Sequence, residues 1–187
     1  MAQTYNTMNT LNSGTRVGTM ILDHFIMTIL IMILAAPGMV YDMIQTFDNL
    51  DAQPKLFLGN LYVNIFAFSL YFNKDIYLGR SPAKRILKLQ IVDIKTNRPA
   101  NPLQCLVRNL TLIIWPVELI VGLTNIERRV GDLIAGTKLT TYGHEQYQTK
   151  PKWILVVIAI VISMLVTYLT MFYPIELIMN YSGLAAD

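Results

Sequence analysis

Charge is scarce in this chain: Asp, Glu, Lys and Arg make up 14% of its 187 residues, where a soluble domain carries roughly 25%. Apolar types reach 53% and the mean hydropathy is +0.43. A soluble enzyme and a disordered tail are excluded, and the balance points to lipid. Cysteine is limited to Cys105, which excludes a disulfide scaffold within the chain. His24 and His144 are the only histidines, so no zinc-ligand spacing exists and neither metal nor cofactor is implied. The glycine pattern of a phosphate-binding loop is missing, as is any Ser, Cys or carboxylate pair in a hydrolytic setting. The chain is expected not to be an enzyme. No internal repeat or low-complexity segment is present.

What the sequence does have is long apolar runs. Segments 17–40, 56–72 and 153–173 contain a single charged residue, Asp23. A hydrocarbon core about 30 Å thick needs roughly 20 helical residues. The 17-residue middle run reaches that length if Lys55 and Lys74 mark its ends and extend to the two interfaces. The first run is read as retained rather than as a signal peptide, because uncharged residues precede Arg16 and because Asp23 and His24 interrupt its apolar part.

Basic residues set the expected orientation. Asp42, Asp48 and Asp51 stand against Lys55 between the first two runs, whereas seven Lys or Arg lie between Lys74 and Arg98 against two Asp. This places the N-terminus and segment 73–102 in the cytoplasm and the Asp-rich loop outside. Net charge is +3 and the pI about 9.0. Aromatics do not interleave with these bases, so the basic loops suit anionic lipid and no nucleic acid is expected as partner.

Segment 103–123 does not fit a simple span. It holds Arg108, Asn109, Pro116 and Glu118. Asn101, Gln104, Arg108 and Thr111 fall three or four apart, which makes one helical face polar, and Pro116 would break the helix. A bent, interfacial or re-entrant element is favoured over a crossing. Leu87, Leu89 and Ile91 alternate with Lys88 and Gln90, the period of a half-exposed strand. Segment 137–142, after Gly136, is β-branched and aromatic, and pairing of the two runs would keep both flanks of 103–123 in one compartment. The fold expected is an all-α integral membrane protein with three transmembrane helices, one broken interfacial or re-entrant element and a small cytoplasmic β-pairing.

These residues resemble the RDD family of small bacterial membrane proteins, named for an arginine at the start of the first membrane helix, an aspartate within it and a further aspartate downstream. Arg16 and Asp23 fit the first two. Asp132, in the run Arg128-Arg129-Val130-Gly131-Asp132-Leu133-Ile134-Ala135-Gly136-Thr137, resembles the family's segment ending Asp-Leu-x-Ala-Gly-Thr. Gly79 to Arg85 with the strand after it resembles the Gly-Lys-Arg segment, with Ala83 where Gly is usual, and Arg108-Asn109 resembles an Arg-Asn pair. The resemblance covers roughly 16–142. It divides the chain into a loose tail at 1–15, a membrane domain at 16–142, and an extra helix with a C-terminal tail at 143–187. It implies a bacterial inner-membrane location, and transport, including exchange of monovalent cations for protons, has been proposed for some members.

Asp23 is the most informative position. A charged acid near the middle of a membrane helix costs roughly 2.5 to 3.5 kcal/mol, so it should face protein or water, paired or protonated. Arg16, two turns away on the same face, and Arg108 are its candidate partners. Asp23 reads either as a proton or cation site or as a permanent interhelical anchor. His24 points about 100° away and reads as a relay member only with a third group between them, otherwise as a hydrogen-bonded packing residue. Asn60 and Asn64 share a face of the second helix and offer carbonyl oxygens to a cation or hydrogen bonds between helices. The hydroxyls of Ser163, Thr167 and Thr170 suit bonds to carbonyls of the preceding turn.

Asp132, Arg128 and Arg129 are expected to form a structural charge network. Ser81-Pro82 reads as an N-cap and first helical residue, which would present Lys84, Arg85 and Lys88 to lipid phosphates. Two functional readings follow. One is a small transporter, working by monovalent cation/proton exchange at the intramembrane aspartate. The other is a membrane adaptor or assembly factor whose basic loops hold a partner protein or anionic lipid. Three spans enclose a polar path poorly, so a homo-oligomer is expected.

Overall fold

The structure is a computed structural model that describes residues 13–48, 60–114, 129–142 and 151–181. The expectations for Lys55, Asp51, Pro116, Glu118, Arg128 and His144, and for most of the N-terminal tail, lie outside the described residues.

The chain is mostly helical. Helix α1 (Ser13–Asp48) is 36 residues long, about 54 Å at 1.5 Å per residue. It starts inside the expected tail and continues through Pro37 to Asp48, where a loop had been expected. The residues after Pro37 (Met39, Val40, Tyr41, Met43, Ile44) hold no glycine pair or second proline that would stop it. A proline inside a helix removes one hydrogen bond without forcing an end. Helix α2 (Leu61–Phe72) has 12 residues, about 18 Å, and the first part of the expected 56–72 run is outside the described residues. Among the described residues two helices are long and apolar enough to cross a membrane, residues 14–48 and 153–178.

Between α2 and the last helix the chain forms short elements. Helix α3 (Pro82–Ile86) leads to strand β1 (Leu89–Asp93). Helix α4 (Pro102–Leu110) runs into a 3-10 turn (Thr111–Ile114). Helix α5 (Val130–Ala135) precedes strand β2 (Thr137–Thr141). The strands pair antiparallel, with Ile91 opposite Leu139 and Asp93 opposite Thr137. β1 begins two residues later than the alternation suggests, because Lys88 turns the chain at φ 51°. Nor is β1 half-exposed: Leu89, Gln90, Ile91 and Val92 are all buried, and Gln90 is satisfied by donating from Nε2 to the Leu78 carbonyl at 2.9 Å. Ile91 packs with Ala100 and Cys105 of the α4 region.

Helix α6 (Trp153–Thr167) continues through a π-helical turn (Tyr168–Phe172) into α7 (Tyr173–Tyr181). Phe72 of α2, Leu106 of α4 and Ala159 of α6 form a second small core. The hydroxyls of α6 and the π-helical turn bond to carbonyls of the preceding turn: Ser163 to that of Ile160, Thr167 to that of Ser163 and Thr170 to that of Val166, at 2.7 to 2.8 Å. These elements bring α1, the end of α2, α3, α4 and α5 together around one polar interior.

Candidate functional site

That interior is a buried set of ion pairs. Ser81 caps α3 by accepting the Lys84 backbone N–H at 3.2 Å, and Pro82 supplies the first helical residue. The cap fixes where the α3 side chains project. Lys84 turns inward at 1% exposure and places its Nζ 2.5 Å from Asp23 Oδ2 and 2.8 Å from Asp75 Oδ1. Its third donor contact is Ser81 Oγ at 3.2 Å. The Ser81 hydroxyl also donates to Asp23. The assignment of Lys84 to lipid is therefore corrected. An ammonium on so short a helix faces whichever carboxylates the tertiary fold provides, and here two buried ones outweigh the membrane surface. Arg85 and Lys88 remain exposed, and Arg85 lies over the Tyr77 ring at 5.0 Å.

Asp75 links this group to a second one. Its Oδ2 accepts from Asn109 Nδ2 at 3.1 Å and lies 3.6 Å from Arg108 Nη1, while the Ser81 backbone N–H donates to Oδ1 at 3.1 Å. Arg108 Nε then reaches Asp132 Oδ1 at 2.5 Å. Asp132 also receives Thr137 Oγ1 at 3.0 Å and sits 3.5 Å from Arg16 Nη2 and 3.9 Å from Arg129 Nε. The described chain of contacts runs from Asp23 through Lys84, Asp75 and Arg108 to Asp132, with Arg16 and Arg129 at its far end.

Backbone geometry holds the pieces at this spacing. Gly131 rests against the Arg108 carbonyl, and a Cβ there would lie inside that oxygen and 2.5 Å from Thr111 Oγ1. Only glycine lets α5 approach α4 closely enough for Asp132 to meet Arg108. Gly136 closes α5 with φ 64°, a conformation that costs glycine nothing. Ala83 is buried within α3, and no left-handed backbone is needed there.

Burial by itself raises a carboxyl pKa, because it penalises the charged form. At Asp75, Lys84, Arg108 and Lys74 overcome that penalty and hold the group well below the usual carboxylate range. At Asp132, Arg108 and Arg129 do the same. Lys74, just past α2, is pushed down to about 8 by burial and the nearby Lys84, with Asp23 and Asp75 opposing.

The sequence candidates are partly reunited. Asp23, Arg16, Arg108, Asp132 and Arg129 share the cluster, but Asp23 pairs with Lys84 and neither arginine is its direct partner. Arg16, two turns of helix away from Asp23, reaches Asp132 with its Nη2 3.5 Å from Oδ2. His24 is exposed and its Nδ1 lies 2.9 Å from the Tyr71 hydroxyl. Asn60 and Asn64 are not brought to Asp23. Asn60 sits at the start of α2 against Gly38, about 22 Å along α1 from Asp23 at 1.5 Å per residue. Sequence reasoning missed Asp75, Asn109's bond to it and the inward turn of Lys84. The only available signal was an Asp among seven bases, three residues after an apolar run.

Two long apolar helices, the first of them carrying Asp23 into a buried ion-pair cluster with the short elements, mark a helical, membrane-type protein. A family model described as the RDD family matches residues 12–175, and the chain belongs to that family. The match runs on into the last helix, which the resemblance at 16–142 had left out. No curated protein and no solved structure matches the chain.

Proposed function

We propose that the protein is a small membrane transporter exchanging a monovalent cation for a proton, with Asp23, Lys84 and Asp75 as the exchanging centre. One observation carries the reading: an ammonium buried between two carboxylates, 2.5 Å from Asp23 and 2.8 Å from Asp75. A dehydrated monovalent cation has the same charge as that ammonium and needs the same oxygens, those of Asp23, Asp75 and Ser81. A cation arriving at Asp23 displaces Lys84 toward Asp75. A proton arriving at Asp23 cancels its charge and releases the cation. Beside the group is a cavity of about 10 Å³ lined by Arg16, Thr19, Asp23, Lys84 and Arg129 among others, room for about one water.

The distribution of basic residues supports a multi-pass arrangement in the bacterial inner membrane, with the N-terminus, α3 and the β-pair in the cytoplasm. α2 is the third crossing in this reading. A homo-oligomer would complete the walls of the path, and no covalent chemistry is involved. In proteoliposomes, a proton flux dependent on sodium, potassium or lithium is expected, and Asp23→Asn should abolish it. An unchanged flux in that variant, with unchanged elution and melting, refutes the assignment.

A second reading, a membrane adaptor or assembly factor, draws on a different observation. The Lys84 ammonium has acceptors for all three of its hydrogens, Asp23, Asp75 and Ser81, the arrangement of a permanent clasp. The exposed Arg85 and Lys88 would then dock a partner protein or anionic lipid. A stoichiometric protein captured by crosslinking before purification, together with no flux in vesicles, would favour it.

A further inference from the structure

A groove of about 330 Å³ lies away from the ion pairs, at the foot of α6. Its floor is apolar, from Ile76, Leu78 and Leu155, and its rim carries Arg98, Lys152 and Asp93. Arg98 and Lys152 are exposed. Asp93 does not offer its oxygens to the groove: they accept from Gln104 Nε2 at 2.5 Å, the Thr96 N–H at 2.8 Å and the Lys95 N–H at 2.9 Å. The N-terminus of α4 is closed as well, since Asn101 and Gln104 cap each other's backbone N–H. What remains presented is a pair of cations above an apolar floor, with a net charge of +1 once Asp93 is counted.

Position in the fold says what such a surface meets. Lys152 and Trp153 stand at the start of the apolar α6, and Trp153 is 67% exposed, as expected of an aromatic at a membrane–water boundary. Leu155 continues the groove wall into the apolar helix. A ligand filling this site must therefore carry one negative charge at the boundary and an apolar body directed along α6.

We infer that this groove seats an anionic phospholipid, its phosphodiester between Arg98 and Lys152 and an acyl chain along Leu155, Ile76 and Leu78. A monoanionic headgroup neutralises the net charge of the rim, whereas a zwitterionic one would leave it unbalanced. The site is independent of the exchange chemistry at Asp23.

The test is native mass spectrometry of the full chain in detergent, titrated with phosphatidylglycerol, phosphatidylethanolamine or phosphatidylcholine of equal acyl length. The wild type should retain phosphatidylglycerol preferentially. Arg98→Gln with Lys152→Gln should weaken that retention about 25-fold, the product of roughly fivefold per basic residue at a membrane surface. Lys95→Gln with Lys138→Gln, neither of which lines the groove, should leave it intact, and both double variants should melt as the wild type does. Equal retention of the three lipids, preference for phosphatidylethanolamine, or an equal loss in both double variants overturns the assignment. Displacement of the lipid by millimolar inorganic phosphate would also overturn it, by showing an anion site without need of the acyl chain.

Discussion

Arg16 Nη2 lies 3.5 Å from Asp132 Oδ2, so the first turns of the long apolar helix are tied to a six-residue helix more than 100 residues further along the chain. Asp132 also binds Arg108 and meets Arg129. One carboxylate thereby joins α1, α4 and α5. At the other end of the cluster, one ammonium joins α1 and α3 to the segment after α2. The two knots share Arg108 and Asp75, and their strength is open to direct measurement.

Lys84→Met should be among the most damaging single changes. It leaves Asp23 and Asp75 buried without their common counter-ion, and breaking a buried pair from one side costs about 3–5 kcal/mol. Thermal melting in detergent should fall sharply. Adding Asp23→Asn should recover part of the loss, with a coupling of about 0.5–3 kcal/mol for residues in direct contact. A Lys84→Met variant that melts with the wild type would dismiss the ion pair as a stabilising contact.

Asp75 should make the protein acid-sensitive. Its folded-state pKa lies below the unfolded one, so its contribution is fully present above the unfolded value of about 3.9. It is lost progressively as the pH falls below that value toward the lower folded one. Melting followed from pH 6 to pH 3 should show this decline, and Asp75→Asn should flatten it. An identical decline in the variant would assign the effect to other groups.

Lys74 should act in the opposite pH range. Its folded pKa is about 8, against about 10.4 unfolded, so between these values the unfolded chain binds more protons. Stability should therefore rise as the pH goes from about 8 to about 10. Lys74→Met should abolish that rise and melt higher than the wild type at pH 7. A flat wild-type profile over this interval would contradict the lowered pKa of this half-buried ammonium.

Gly131→Ala should destabilise by about 1–3 kcal/mol, the range for overpacking a tight contact. The added methyl must push α5 off the Arg108 carbonyl, which lengthens the Arg108–Asp132 pair. Gly18→Ala, where a Cβ meets nothing within 4 Å, should melt at or above the wild-type temperature, since alanine is the better helix former. Equal melting of the two variants would show that the close approach is not constraining.

Much of this was legible from the chain, and the exceptions share a cause. Asp23 stood out because nothing else in three apolar runs carries charge. The β-pairing was signalled by alternation at 87–91 and by Gly136 before a β-branched run, and Ser81-Pro82 marked the start of α3. The inward turn of Lys84 was not legible. A five-residue helix has no periodicity of its own, and a lysine among seven bases reads as surface until its acceptors are known. Asp75 was hidden for the same reason. Its partners come from α3 and α4, distant in sequence or without a pattern of their own, and α4 is brought to it by the packing of Phe72, Leu106 and Ala159. The length of α1 was underestimated because its apolar run ends at Val40, and Asp42 and Asp48 beyond it read as loop.

That extra length has a spatial outcome. A hydrocarbon core needs about 20 helical residues, the length from Val17 to about Pro37, and Gly38 through Asp48 are left over. Eleven further residues of the helix Ser13–Asp48 rise about 16 Å, so α1 is a rigid rod that much longer than a crossing requires. Met39, Val40, Tyr41, Met43, Ile44 and Phe47 are open to the surroundings along it, with Asp42 and Asp48 between and beyond them.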